Sequence, residues 1–82
     1  MGCYLNVYVL MEMSLEPEFG EVLTLTRSKL GEPIEIVKSV VVPNMIFLRF
    51  ACESREKCFE MKDVIERELA NVPWFKAEVV CP

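Results

Sequence analysis

Met45-Ile46-Phe47-Leu48-Arg49-Phe50-Ala51-Cys52 is the stretch that decides the architecture. Apolar residues fill nearly all of it, several β-branched or aromatic, and neither glycine nor proline interrupts them. A strand reads this way when both of its faces are at least partly covered. Pro43-Asn44 marks a turn before it, and Ser54 opens a helix after it. The spacing therefore predicts a central strand with a hairpin on one side and a helix on the other.

Working outward, residues 34–42 form a β-branched run that pairs with this strand through the Pro43-Asn44 turn. Closing the hairpin through a three-residue loop turns Val40 and Val42 inward and carries Lys38 with them. A slip of one residue exchanges the two faces, and a bulge near Val37-Lys38 reconciles the two registers. From Ser54 onward Cys58, Met61, Ile65, Leu69 and Val72 recur at helical spacing, with Asn71-Val72-Pro73 closing the helix. Residues 74–81 alternate again, setting Phe75, Ala77, Val79 and Cys81 against Trp74, Lys76, Glu78 and Val80.

The N-terminal half has the same grammar. Residues 3–13 alternate, with Cys3, Leu5, Val7, Val9, Met11 and Met13 on an apolar face and Tyr4, Asn6, Tyr8, Leu10 and Glu12 on the other. Ser14-Leu15-Glu16-Pro17 is a helix start, and Phe19, Val22, Leu23, Thr26 and Leu30 follow at helical spacing until Gly31 and Pro33 end the run. The order β-α-β-β-α-β with short connections predicts a single ferredoxin-like α+β domain over residues 1–82. Its four-stranded antiparallel sheet has strand order 4-1-3-2, with two helices on one face. The other face is then left carrying Tyr4, Tyr8, Leu10, Phe47, Arg49, Trp74 and Val80, which is more apolar than a solvated sheet face.

Composition narrows the function. A chain of 82 residues buries only about 60–65% of its unfolded surface on folding, and 52% hydrophobic content is high for so small a core. The excess points to a face paired with another subunit: a homo-oligomer, with a small molecule or another protein as the further partner. A formal net charge of −4 argues against nucleic acid, whose binders carry a basic face. No stretch approaches the ~20 apolar residues that span a bilayer, and no signal-peptide pattern opens the chain, so a cytoplasmic protein is expected. Histidine and glutamine are absent, and a single aspartate stands against 12 glutamates among the 13 acidic residues. That bias leans towards a thermophilic source.

The expected topology gathers the four cysteines. Cys3, Cys52 and Cys81 fall at one edge of the sheet on the helix side, and Cys58 lies one turn into the second helix, which starts there. Three chemistries fit the cluster: buried free thiols acting as small hydrophobes, two disulfides (Cys3–Cys81 and Cys52–Cys58), or a zinc or iron–sulfur site. A metal site lacks a C-x-x-C pair and histidine. Disulfides would each add about 2–4 kcal/mol.

Catalysis has little to stand on. Without histidine there is no Cys–His or Ser–His pair, and there is no glycine-rich phosphate loop. No residue pattern calls for a cofactor. Arg49 with Glu12 or Glu78 reads as a cross-strand ion pair. The aromatic face offers the competing function, a single-stranded nucleic-acid platform on which bases stack, but the basic-Gly-aromatic opening of that motif is missing.

From Pro43 through Val80, the hairpin, the strand ending in Ala51-Cys52, the helix over residues 55–71 and the terminal strand resemble the effector-binding module of the Lrp/AsnC regulator family and, more loosely, ACT domains. The resemblance implies a ferredoxin-like fold, pairing through sheet faces and a small-molecule effector. The hairpin reads Val42-Pro43-Asn44-Met45 where that family carries a glycine and an acidic residue, so no ligand residue is assigned from it.

Overall fold

In the computed structural model of the chain, residues 2–11, 16–42, 44–70 and 72–82 are described. The expectations placed on Glu12, Met13, Ser14, Leu15, Pro43 and Asn71, and on the side chains of Pro17 and Phe19, lie outside the described residues. The elements run β1 (Cys3–Leu10), α1 (Glu16–Leu30), β2 (Glu35–Lys38), β3 (Met45–Cys52), α2 (Arg55–Glu68) and β4 (Trp74–Val80). The sheet order is β2-β3-β1-β4, and every neighbouring pair is antiparallel. This is the ferredoxin-like arrangement that the alternation of patterns implied.

β1 and β3 sit at the centre because their inward residues are continuously apolar. Leu5, Val7, Val9, Ile46, Leu48 and Phe50 are all buried, and they pack with Val22 and Leu23 of α1 and with Cys58, Ile65 and Leu69 from α2 and its C-cap. Both helices thus cover the same face of the sheet.

The helix ends follow from their sequences. Ser54 has an extended backbone, and its Oγ accepts a hydrogen bond from the Lys57 amide at 3.2 Å, capping α2. α1 ends at Gly31, whose φ of +86° places it in the left-handed region. Its amide donates to the Arg27 carbonyl at 3.0 Å, as a glycine just beyond a helix does.

The hairpin departs from expectation. β2 spans four residues rather than the nine of residues 34–42, and Val40 and Val41 are 96% and 89% exposed. The backbone turns early because local groups satisfy it. The Val42 amide donates to Ser39 Oγ and the Met45 amide to the Val42 carbonyl, both at 3.0 Å. The ladder with β3 runs unbroken from Glu35–Arg49 to Lys38–Ile46, so Lys38 shares the helix-side face with Ile36 and no bulge intervenes. Asn44 then ties the hairpin to β1. Its carbonyl accepts from the Met11 amide at 2.8 Å, and its side-chain amide donates to the Met11 carbonyl at 2.6 Å.

Candidate functional site

The face of the sheet away from the helices is built in cross-strand rows. At one end Val80, Tyr4 and Ala51 lie side by side. The next row is polar: Glu78, Asn6, Arg49 and Glu35. Then come Lys76, Tyr8, Phe47 and Val37, and finally Trp74, Leu10 and Met45. All seven residues expected on this face (Tyr4, Tyr8, Leu10, Phe47, Arg49, Trp74 and Val80) are there. Trp74, Val37 and Val80 are more than 40% exposed. Tyr8 and Phe47 are half-buried against each other, with ring centroids 5.0 Å apart.

Arg49 organises the polar row. Its Nε donates to Asn6 Oδ1 at 3.1 Å, and Nη1 lies 3.5 Å from Glu35 Oε1. The guanidinium carbon stands 5.6 Å from the ring centroids of both Tyr4 and Phe47, within cation–π range on two sides. Asn6 is buried, so its carbonyl oxygen requires this partner. The expected ion pairing of Arg49 with Glu78 is corrected: Glu78 lies one strand too far and pairs with Lys76 at 3.8 Å. Glu12, the other expected partner, lies outside the described residues. The ion pair is with Glu35 because β2, not β4, is the strand beside β3. Asn6 and Glu35 were missing from the expected set, although the alternation of β1 already placed Asn6 between the two tyrosines.

At the end of the sheet beside the Tyr4 row, on the helix side, the cysteines form two disulfides, Cys3–Cys81 and Cys52–Cys58. Sulfur held in a disulfide is not a thiolate, so the donor set that a zinc or iron–sulfur site needs is taken up in cross-links. Among the described residues, no group of His, Cys, Asp or Glu is arranged to hold a metal ion. An open depression elsewhere is lined by Gly20, Glu21, Thr24, Leu25 and Ser28. All five come from α1, so no second element brings a converging polar group to it. No helix among the described residues is long and apolar enough to cross a membrane.

Several solved structures share this fold. A NIPSNAP-family protein of unknown function from Agrobacterium tumefaciens superposes with a TM-score of 0.66 at 15% identity, covering 99% of this chain and 87% of that one. A second NIPSNAP-family protein from the same organism gives 0.66 at 10% identity, with 99% and 85% covered. A NIPSNAP-like domain protein from Burkholderia xenovorans gives 0.60 at 13% identity, with 99% and 84% covered. The likeness at this identity is one of fold. No protein-family model matches the chain, and neither does any curated protein.

Proposed function

We propose that the chain is a small non-enzymatic regulatory or interaction module that works as a homo-oligomer, two copies meeting through their open sheet faces. The observation that carries this reading is the apolar character of a face that both helices leave uncovered. Tyr8 and Phe47 form its middle, and Leu10, Trp74, Val80, Val37 and Tyr4 its margins. Full burial of such side chains contributes about 1.5–3 kcal/mol each, and the part still exposed here contributes a share of that. A two-fold operation presents the patch to itself and closes without leaving a sticky surface. The row Glu78–Asn6–Arg49–Glu35 crosses the patch and fixes the register of the two copies.

The resemblance to Lrp/AsnC modules adds the second half of the proposal, a small ligand or protein partner bound where the subunits meet. A cytoplasmic location agrees with two disulfides if the source is hyperthermophilic, since intracellular proteins of such organisms commonly carry them.

Sedimentation velocity on the wild type and on Phe47→Glu tests the association. The wild type should sediment as a dimer or a higher even assembly at micromolar concentration, and the variant as a monomer. A monomeric wild type overturns the proposal, as does a variant that stays dimeric, because a carboxylate at the centre of the face must separate the copies.

A further inference from the structure

The two disulfides share one row of the sheet. The register of β1 against β3 sets Cys3 directly opposite Cys52. On the other side β1 pairs with β4 up to Tyr4–Val80, and the disulfide joins the next residues, Cys3 and Cys81. Cys3 therefore stands between two cysteines, bonded to one and directly across from the other. Opposed residues on antiparallel strands have Cα atoms about 4.5–5.5 Å apart, inside the range of roughly 4.4–6.8 Å that a disulfide spans. A Cβ placed on Gly2 would lie 2.8 Å from the Cys52 carbonyl oxygen, which shows how closely the start of β1 runs along the end of β3. Cys3 thus has a second cysteine paired directly across the ladder from it, besides the one it is bonded to.

Access to the four sulfurs is unequal. Cys81 is exposed, while Cys3, Cys52 and Cys58 are 7%, 5% and 0% exposed. A thiol arriving from solvent meets Cys81 first, and the helix-covered Cys52–Cys58 bond is shielded from it.

We propose that Cys81 is a thiol-exchange site for small external thiols, and that Cys3 relays the exchange inward to Cys52–Cys58. The external thiolate attacks Cys81 Sγ, forming a mixed disulfide there and expelling Cys3 as a thiolate. Cys3 Sγ then attacks Cys52 Sγ, the Cys3–Cys52 bond forms, and Cys58 leaves as a thiolate that takes its proton from water. Two disulfides enter and two leave: the external thiol ends joined to Cys81, and the thiol hydrogen it lost reappears on Cys58.

Exchange of the intact protein with reduced glutathione, followed by an acid quench, maleimide labelling in denaturant and peptide mass mapping, tests the relay. The wild type should yield glutathione on Cys81, maleimide on Cys58, and a cross-linked peptide pair containing Cys3 and Cys52. Cys3→Ser, in which Cys81 is a free thiol, should take maleimide on Cys81 in the presence of reduced glutathione while Cys58 stays unlabelled. Cys81→Ser, with no thiol added, should rearrange by itself to Cys3–Cys52 and a labelled Cys58. Wild-type glutathione appearing first on Cys52 or Cys58 overturns the exchange site. Maleimide on Cys3 with Cys52–Cys58 intact, in the wild type or in Cys81→Ser, overturns the relay. So does equal labelling of Cys58 in the wild type and in Cys3→Ser.

Discussion

Removing the Cys3–Cys81 disulfide should destabilise the fold more than removing Cys52–Cys58, even though the second bond is the more deeply buried. The reason is chain entropy. The first bond closes a loop with a sequence separation of 78 and the second one of 6. The loop-closure relation converts these to about 4.5 and about 2.2 kcal/mol at 25 °C. Packing works the other way. Converting Cys52 and Cys58 to alanine empties two buried positions, whereas Cys3 and Cys81 empty only one, Cys81 being exposed. At ~1 kcal/mol per buried sulfur, packing returns about 1 kcal/mol of the difference, so the Cys3–Cys81 pair should still lose more by about 1 kcal/mol. A domain of 82 residues has a total stability of about 4–12 kcal/mol, so either loss is a large share. The assay is urea unfolding of the double variants Cys3→Ala/Cys81→Ala and Cys52→Ala/Cys58→Ala under non-reducing conditions. The first variant should also show the larger increase in m-value, because its unfolded chain expands from end to end. Equal losses, a greater loss in the second variant, or an m-value unchanged in the first would refute the reasoning.

Three further outcomes follow from local geometry. Ser54→Ala removes the acceptor of the Lys57 amide and should lower stability by about 1 kcal/mol in thermal or urea unfolding. Gly20→Ala should raise it by roughly 0.5–1 kcal/mol, since a Cβ there meets nothing within 4 Å and the residue lies inside α1. Gly31→Ala should instead lower it by about 1 kcal/mol, because its positive φ disfavours any side chain although the space is open.

The fold was legible where burial and local preference agree. Residues 45–52 are apolar on both faces apart from Arg49 and became a central strand, and Ser54 with the Cys58, Ile65 and Leu69 stripe became a capped, half-buried helix. The hairpin was not legible because there the two signals part. Val40, Val41 and Val42 are all β-branched with high strand propensity, yet a strand needs a partner as well as a propensity. Ser39 supplies the hydrogen bond to the Val42 amide that a ladder would otherwise have supplied, and the chain turns. Propensity in a hairpin tip yields to whichever group satisfies the backbone first.

The open face shows the same division at the level of single side chains. Period-two alternation was enough to place Tyr4, Tyr8, Phe47 and Trp74 on it, because alternation assigns faces without knowing neighbours. It was not enough to pair Arg49, because a partner across strands depends on sheet order and register together. Glu78 and Glu35 share the row of Arg49, but Asn6 stands between Arg49 and Glu78, whereas Glu35 is next to it. Arg49 therefore takes Asn6 on one side and Glu35 on the other, with Tyr4 and Phe47 stacked along the strands. Both Arg49 and Glu35 are partly exposed, so this ion pair contributes at most about 1 kcal/mol to the isolated fold. Its larger effect is geometric. It holds a charged group at a fixed position in an apolar field, so a copy of the same face can meet it in few orientations without stranding that charge.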